Sequence, residues 1–338
     1  MSAFDALITR AQESPARVVL PEATDPRVLE AALQAQSDGR CHPVLVGEKE
    51  SIFGAAKELS LSIDELQIID TLDSKRLQQL AEILFEKRKH KGMTIESAQT
   101  ALADPLTYAC TLVHAGQADA CVAGAVYATA DVTRAALQIV GAAKNATFVS
   151  SFFLMTMKHE FQALSGITVF ADCALAIEPD AIELSEIAVQ TARSTATLLG
   201  TTPVVAMLSF STDGSAKHPR VIKVQEATAL TNDVFAKENP QWKVFGDAQL
   251  DAAVVPEILQ KKAPDIAAKL GTDLPNILVF PNLEAGNIGY KLCERFGDCD
   301  AIGPVLQGLA RPVNDLSRGC KTEDISRILA ITSLQAMA

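Results

Sequence analysis

Short apolar runs alternate with segments of helical periodicity in the first part of the chain. Residues 18–20, 44–46 and 121–123 are short and rich in valine and other apolar residues, as buried strands are. Residues 25–36 and 73–89 carry apolar side chains three and four positions apart, which is typical of an amphipathic helix. Strands that alternate with helices pair in parallel, because each helix carries the chain back to the starting edge of the sheet. The alternation therefore predicts an α/β fold with a helix-covered parallel sheet.

A second group of strands is predicted further along the chain. The apolar segments 148–157, 167–174 and 204–210 are longer than the earlier ones and indicate a second sheet. The chain has 338 residues, whereas one domain usually has roughly 100–200. We therefore expect two domains, with a crossover near residue 142 and a cleft between them.

Charge and hydropathy exclude several classes of partner. The net charge is -11, and nucleic-acid binding needs a basic surface, so we expect no nucleic-acid partner. The longest apolar stretch, residues 147–157, is much shorter than the roughly 20 residues that cross a bilayer. The N-terminal segment MSAFDALITRAQES lacks the basic start and apolar block of a signal peptide. These features predict a cytoplasmic protein with no membrane contact.

The common metal and nucleotide motifs are missing from the sequence. The seven cysteines form no CxxC pair and the five histidines form no HExxH motif, so we expect reduced thiols and no metal. Motifs of the GxGxxG, GxxxxGK[ST] and GxSxG types are also absent, which argues against the usual dinucleotide, nucleotide and hydrolase sites.

Several longer motifs are more distinctive. They are GPVLQGLARPVNDLSRGC at 303–320, PNLEAGNIGYKL at 281–292, MLSFSTDGS at 207–215, FADCA at 170–174, RKHKG at 88–92, and TAD at 129–131 followed by RAALQ at 134–138. Together, and in this order, they resemble the phosphate acetyltransferase and phosphate butyryltransferase family over nearly the whole chain, in its short stand-alone form.

The resemblance implies an activity and an architecture. The family transfers an acyl group, here acetyl, reversibly between coenzyme A and inorganic phosphate, by direct transfer with both substrates bound. It implies acetyl-CoA, phosphate and acetyl phosphate as small-molecule substrates, no permanently bound cofactor, a role in acetate metabolism and a homodimer. It also implies two α/β/α domains arranged like isocitrate and isopropylmalate dehydrogenases. The first domain would contain residues 1–142 and 297–338, and the second, which would form the dimer, residues 143–296.

The resemblance also assigns catalytic roles. Asp324 matches the family's general base, which takes the proton of the coenzyme A thiol, and Ser317 and Arg318 match the residues that steady the reacting carbonyl and phosphate. Arg88 and Arg134 match arginines that hold substrate phosphates. Without the resemblance, the ordinary interpretation is that Asp324 complements a helix dipole and that the arginines are solvated.

Four weaker substrate-binding candidates complete the set: Tyr127, Thr129, Asn287 and Ser211. Thr129 is in position to cap the helix that presents Arg134, and Asn287 lies in a predicted turn at 286–289. Ser211 lies in a Ser/Thr/Gly-rich segment after a predicted strand, where an anion-binding turn and an ordinary polar loop are equally compatible with the sequence.

Other functions remain compatible with these motifs. The acyl group could be butyryl or another short chain, because one methylene changes binding by only about 1–3 kcal/mol. Cys320 could act as a nucleophile in a ping-pong mechanism. A metal- and NAD(P)-dependent decarboxylating dehydrogenase of the same architecture, and a non-catalytic effector-binding domain, are alternatives of a different class.

Overall fold

The structure is a computed structural model that describes residues 3–144, 146–157 and 166–337. Its first part alternates strands and helices, as the sequence predicts. The elements are α1 (Ala3–Glu13), β1 (Arg17–Leu20), α2 (Pro26–Ser37), β2 (His42–Gly47), α3 (Lys49–Glu58), β3 (Gln67–Asp70), α4 (Ser74–Arg88), α5 (Ile95–Ala101), α6 (Pro105–His114), β4 (Ala120–Ala123) and α7 (Thr129–Ala135). A 3₁₀ turn (Lys89–Lys91) follows α4, and a π-helical turn (Ala136–Val140) follows α7.

The middle of the chain forms a second sheet, of order β10-β5-β6-β9-β7-β8. Strand β5 is antiparallel to both of its neighbours, and the other pairs are parallel. Its elements are β5 (Ser150–Met157), β6 (Ile167–Ala171), α8 (Ala181–Leu199), β7 (Val204–Leu208), α9 (Pro219–Glu238), β8 (Lys243–Ala248), α10 (Leu250–Val254), α11 (Pro256–Lys262), α12 (Pro264–Leu270), β9 (Ile277–Val279), α13 (Leu283–Phe296) and β10 (Cys299–Gln307).

The last part of the chain completes the first sheet. Strand β11 (Val313–Asp315) pairs in parallel with β4, and helix α14 (Thr322–Ala336) follows it. The sheet has the order β11-β4-β1-β2-β3 and all its pairs are parallel. The carboxyl ends of β11, β4 and β1 therefore lie side by side at one edge, which is where α/β sheets place their ligand sites.

Two compact units result: Asp5–Asn145 with Leu309–Ala338, and Ala146–Gly308 with the first four residues. The chain thus crosses between them three residues after the crossover expected at 142 and again after residue 308, where the sequence analysis had placed the boundary at 296/297. The later position has a physical reason. Strand β10 pairs with β5 from Cys299, opposite Met157, to Gln307, opposite Ser150, so it belongs to the second sheet.

Three helix starts follow local signals, whereas two expectations from the sequence are wrong. Asp25, Asp73 and Asp104 cap α2, α4 and α6 through their carboxylates, as the composition of these segments favours. The expected cap at Thr129 is wrong, because Ala128 occupies the N-cap position and Thr129 is the first helical residue. The predicted turn at 286–289 is also wrong, because these residues lie inside α13.

Each sheet has its own apolar core. In the first unit Val19, Val44 and Cys121 from the strands pack with Leu80 of α4 and Tyr108 of α6. In the second unit Met155, Phe170, Ala206 and Leu278 of four neighbouring strands form the centre of the core. These residues fix the strands, and the loops at the carboxyl edge of the first sheet are then free to carry polar groups.

Candidate active site

The loops that follow β1, β4 and β11 meet at the carboxyl edge of the first sheet. Glu22 follows β1, residues 124–128 follow β4, and residues 316–321 follow β11. Their proximity follows from the strand order, because β4 lies between the other two strands. This edge brings together residues that are about 300 positions apart in the sequence and have no local signal in common.

Glu22 organises the loop after β4. Its carboxylate accepts hydrogen bonds from the N–H groups of Gly124 and Ala125 at 3.0 and 2.9 Å, and from those of Val126 and Tyr127 at 2.7 Å each. The residue is only 6% exposed. A buried carboxylate with four N–H donors is well satisfied, so Glu22 fixes the path of this loop.

Arg27 ties the loop after β11 to the loop after β4. Its guanidinium donates to the carbonyl oxygens of Arg318 at 2.8 Å, Cys320 at 3.0 Å and Ala125 at 2.8 Å. Asp25 holds the guanidinium through two further hydrogen bonds of 3.0 and 2.8 Å. Burial alone would raise the pKa of Asp25, but the hydrogen bonds from Arg27 lower that pKa below its ordinary value.

Ser317 and Arg318 lie exposed on this fixed loop. The Ser317 hydroxyl oxygen accepts the N–H of Gly319 at 3.3 Å, which leaves its own proton to donate. The Arg318 guanidinium has no hydrogen-bond or ion-pair partner among the described residues. The loop therefore presents one hydroxyl donor and one unpaired cation side by side.

Asp324 lies in the first turn of α14, a few residues further on. Its Oδ2 accepts the N–H of Lys321 at 2.9 Å, so its carboxylate is anchored at the helix start. Lys321 occupies the N-cap position, and the hydroxyl of Thr322 donates to Glu30. The half-buried carboxylate is thereby held on the element that follows the Ser317 and Arg318 loop directly.

Tyr127 and Thr129 also lie at this edge, after β4. The Tyr127 hydroxyl donates to Asp104 at the start of α6 at 2.6 Å, and burial together with this hydrogen bond raises its pKa strongly. Tyr127 therefore joins two elements of the fold and already has a partner for its proton. Thr129 is exposed and is the first residue of α7.

Arg134 and Arg88 have no direct contact with the Ser317 and Arg318 loop among the contacts of the described residues. Arg134 lies on α7, is largely exposed, and pairs with Asp131 at 2.6 Å. Arg88 ends α4 and has no partner among the described residues. The Arg134 guanidinium is accessible to an anion, since an exposed pair such as that with Asp131 costs less than about 1 kcal/mol to exchange, whereas Arg88 is half-buried.

Asn287 and Ser211 lie in the other unit and are engaged in its structure. The Asn287 amide donates to the carbonyl oxygen of Cys173 at 3.1 Å, and its oxygen accepts from Lys291. Ser211 is fully buried, and its hydroxyl oxygen accepts the N–H of Ala216 at 3.1 Å. In this conformation Ser211 holds a turn together and has no surface through which to reach a substrate.

Cys320 is a buried thiol. It is 8% exposed, and burial raises its pKa to about 11, although the neighbouring Arg27 acts in the opposite direction. A thiol with this pKa is protonated at neutral pH and is a poor nucleophile.

Sequence analysis missed four residues of this edge: Glu22, Asp25, Arg27 and Asp315. Their shared signal is position, since Asp315 ends β11 and the other three lie between the end of β1 and the first turn of α2. Asp315 is the most unusual of them, because its pKa is raised from 3.8 to about 6, mainly by burial.

Among the described residues no group of three or more His, Cys, Asp or Glu side chains is arranged to hold a metal ion. No helix in the described ranges is both long and apolar enough to cross a membrane.

Comparisons with known proteins agree with the motifs. A family model described as "Phosphate acetyl/butaryl transferase" matches residues 2–333. A phosphate acetyltransferase of Thermoanaerobacterium thermosaccharolyticum is 44% identical over 338 residues, covering 99% of this chain and 100% of the relative. Another, from Acetivibrio thermocellus, is 45% identical and covers 99% and 98%.

Solved structures give the same result for the fold. A phosphotransacetylase from Streptococcus pyogenes has a TM-score of 0.90 at 40% identity, covering 99% of this chain and 98% of its own. One from Staphylococcus aureus has a TM-score of 0.88 at 41% identity, covering 98% and 99%. A 4-hydroxythreonine-4-phosphate dehydrogenase from Klebsiella pneumoniae, at 14% identity and TM-score 0.54 over 95% of this chain and 100% of its own, shares the fold alone. The predicted α/β class and dehydrogenase-like architecture are thus confirmed, and the chain belongs to the phosphate acetyl/butyryl transferase family.

Proposed function

We propose that this chain is a phosphate acetyltransferase, which converts acetyl-CoA and phosphate reversibly into acetyl phosphate and CoA. The observation that carries the proposal is the loop after β11, where Ser317 and the unpaired Arg318 stand on a backbone clamped by Arg27 and lead directly to Asp324. Coenzyme A enters this reaction as a substrate. We include no permanently bound cofactor in the proposal.

The chemistry follows from the groups on this loop. In the direction of acetyl-CoA synthesis, Asp324 takes the proton of the coenzyme A thiol, and the sulfur attacks the carbonyl carbon of acetyl phosphate. The Ser317 hydroxyl and the Arg318 guanidinium stabilise the negative charge on the carbonyl oxygen of the tetrahedral centre. The carbon–oxygen bond to phosphate then breaks, phosphate leaves with the bonding electrons, and acetyl-CoA remains.

Direct transfer is favoured over an acyl-cysteine intermediate. A ping-pong route would need the Cys320 thiolate, and burial raises the pKa of this thiol to about 11. At neutral pH the thiolate would be a very small fraction of the population. The proposal therefore has both substrates bound together, with Asp324 acting on the thiol of coenzyme A.

Arg134, Arg88 and Thr129 are proposed to bind the phosphate groups of the substrates. Arg134 is exposed, Arg88 is half-buried without a partner among the described residues, and the planar fork of arginine suits phosphate oxygens. Thr129 is an exposed hydroxyl at the same sheet edge as Ser317. Tyr127, Asn287 and Ser211 are less suitable, because their polar atoms already have partners in the fold.

A homodimer is also part of the proposal. Helix α13 carries three exposed apolar side chains four residues apart, Ile288, Leu292 and Phe296, which are 58%, 52% and 85% exposed. Residues at this spacing form one stripe along a helix, and such a stripe is costly to leave in water. We expect a dimer in sedimentation velocity, with Phe296→Glu shifting the protein to monomer. A monomeric native chain would contradict this part of the proposal.

The cytoplasm is the location that fits these features. All seven cysteines are free thiols, which is typical of a reducing compartment.

The preference for acetyl over butyryl is a further part of the proposal, and comparison of kcat/KM for acetyl-CoA and butyryl-CoA tests it.

A thiol-release assay tests the activity itself. The native chain should release free coenzyme A from acetyl-CoA when phosphate is added, and failure to do so would contradict the proposed function. Asp324→Asn should lower kcat by about 100-fold or more, the usual effect of losing a general base, with near-native binding of coenzyme A. Glu323→Gln is the matched control, because Glu323 lies in the same helical turn and pairs with Arg327. Equal activity of Asp324→Asn and the control would exclude Asp324 as the base.

A further inference from the structure

Val126 is an exposed aliphatic side chain at the sheet edge that carries the candidate site. It lies three residues after the end of β4, whose loop stands between the loops after β1 and β11, and it is 59% exposed. Other aliphatic side chains of these three loops are buried, among them Ala23, Ala125 and Leu316. Val126 is therefore the largest exposed aliphatic side chain that the three loops offer to a ligand.

The backbone on both sides of Val126 is fixed by hydrogen bonds. The N–H groups of Val126 and Tyr127 donate to Glu22 at 2.7 Å each. The carbonyl oxygen of Ala125 accepts from the Arg27 guanidinium at 2.8 Å. Valine is branched at Cβ, which restricts its single side-chain torsion. Moving this side chain would require breaking these hydrogen bonds, so Val126 is suited to distinguish ligands by size.

The loop that carries Val126 is held beside the loop that carries Ser317. Strands β4 and β11, from which the two loops leave, are paired in parallel. The guanidinium of Arg27 donates to the carbonyl oxygens of both Ala125 and Arg318, at 2.8 Å each. Val126 directly follows one of these two residues, and Ser317 directly precedes the other. The aliphatic side chain and the hydroxyl therefore stand on neighbouring backbone segments that one arginine ties together.

The proposed reaction needs an apolar surface at this place. Ser317 and Arg318 are proposed to hold the carbonyl oxygen of the acyl group, and the rest of that group extends from the carbonyl carbon as a hydrocarbon. A hydrocarbon gains free energy from contact with apolar side chains and none from the charged groups of the site. An aliphatic side chain on the neighbouring loop meets this requirement.

We propose that Val126 is a specificity-determining residue, which contacts the hydrocarbon part of the acyl group and limits its length. The inference rests on the proposed function, because it takes the acyl carbonyl to lie at Ser317 and Arg318. The acetyl group ends in one methyl group, whereas the butyryl group has two further methylene groups. A side chain that is fixed in place leaves room for the shorter group and collides with the longer one.

The thiol-release assay with a series of acyl-CoAs tests this inference. Values of kcat/KM are measured for acetyl-CoA, propionyl-CoA and butyryl-CoA at saturating phosphate, with the native chain, Val126→Ala and Val126→Thr. Alanine lacks both methyl groups of valine, whereas threonine keeps the shape and exchanges one methyl group for a hydroxyl. Because Val126 is exposed, both variants should fold like the native chain, and urea unfolding checks this.

Leu72→Ala is the matched control. Leu72 is also an exposed apolar side chain, at 67%, and it lies two residues after the end of the parallel strand β3. Strands β1 and β2 separate β3 from β4, so Leu72 stands at the other side of the same sheet. The substitution therefore removes exposed apolar surface of the same kind without touching the loops of the candidate site.

The expected result is a change in selectivity. The ratio of kcat/KM for butyryl-CoA to that for acetyl-CoA should rise at least about tenfold in Val126→Ala, since one methylene group in an apolar site changes this quantity by about 10–200-fold. Propionyl-CoA should show an intermediate rise. The ratio should stay within about threefold of the native value in Val126→Thr, which keeps the shape, and in Leu72→Ala.

The other outcomes separate the inference from the proposed function. A native chain that releases coenzyme A from none of the three substrates contradicts the proposed function, and the inference is lost with it. If the native chain is active and Val126→Ala changes all three kcat/KM values by one common factor, Val126 contacts a part that the substrates share, and the inference alone is overturned. Native values in Val126→Ala overturn it as well. The same applies if the ratio rises as far in Val126→Thr or Leu72→Ala as in Val126→Ala.

Discussion

Replacing Asp315 with asparagine should stabilise the protein above mildly acidic pH. Burial raises the pKa of Asp315 from 3.8 to about 6, and this difference corresponds to about 3 kcal/mol. Because the folded-state pKa is the higher one, the folded chain binds the proton more tightly than the unfolded chain does. The contribution of this group to stability is therefore complete below about pH 4 and is lost as the pH rises through about 6.

The magnitude follows from comparing the variant with the native chain at each pH. Other titrating groups are common to both proteins, so their effects cancel in the difference of unfolding free energies. That difference should shift in favour of Asp315→Asn by about 3 kcal/mol between about pH 4 and about pH 7, which is an upper value because the chain relaxes around a buried charge. Asparagine has nearly the same shape, so packing against Gly124 should change little.

The assay must report on the correct unit. The single tryptophan, Trp242, lies in the Ala146–Gly308 unit, so its fluorescence reports the wrong transition. Hydrogen exchange of peptides from β4 and β11, measured over a range of urea concentrations, reports the opening of the sheet that contains Asp315. Asp64→Asn serves as the control on an exposed carboxylate. A difference between variant and native chain that stays constant from about pH 4 to about pH 7 would refute the reasoning.

Four further changes test the framework of the site. Glu22→Gln should lower the unfolding free energy by about 2–3 kcal/mol, since the amide cannot accept the four N–H groups, and urea unfolding measures this. Gly124→Ala should cost at least about 2 kcal/mol in the same measurement, because the methyl group would lie 2.3 Å from Asp315 Oδ1 and φ is +111°. Arg27→Lys should lower kcat about tenfold at unchanged net charge, because lysine cannot bridge the three carbonyl groups, and a native kcat would contradict the clamp. Cys320→Ala should keep kcat within about threefold of the native value, whereas a loss of 100-fold would indicate an acyl-cysteine intermediate.

The elements that the sequence predicts well are those set by local periodicity. The strands at β1, β2 and β4 and the helices α2 and α4 depend on side chains only a few positions apart, and each lies within a residue or two of its predicted position. The position of β10 could not be found in this way. Its place is decided by pairing with β5, which is far away in the sequence.

The glycines of α13 show how a local rule was overridden. Gly286 and Gly289 predict a turn, yet both lie inside the helix. A methyl group at Gly286 would lie 2.3 Å from the carbonyl oxygen of Asp172, and one at Gly289 would lie 2.9 Å from the ring of Phe280. These glycines permit close approach of the helix to its neighbours, a requirement that is visible only once the neighbours are known.

The residues of the candidate site also differ in whether the sequence could predict them. Ser317, Arg318 and Asp324 are close in sequence, so the family resemblance in and just after one motif suggested them together. Glu22 and Arg27 are almost 300 residues away, and only the strand order β11-β4-β1 brings them to the same edge. Spacing in the sequence carries no information about such a meeting.

Burial separates the groups that hold this site from the groups proposed to act in it. Glu22 is buried with four N–H donors, and the guanidinium of Arg27 is saturated by carbonyl oxygens and Asp25. Ser317 and Arg318 are exposed, and their proton and charge are uncommitted. The contacts of the buried groups order the loop when the chain folds. Substrate binding therefore does not have to supply the free energy of ordering it. Asp315 departs from this division, because it is buried and its Oδ1 has no partner among the described residues, so its ionisation should alter the stability of the sheet that carries the site.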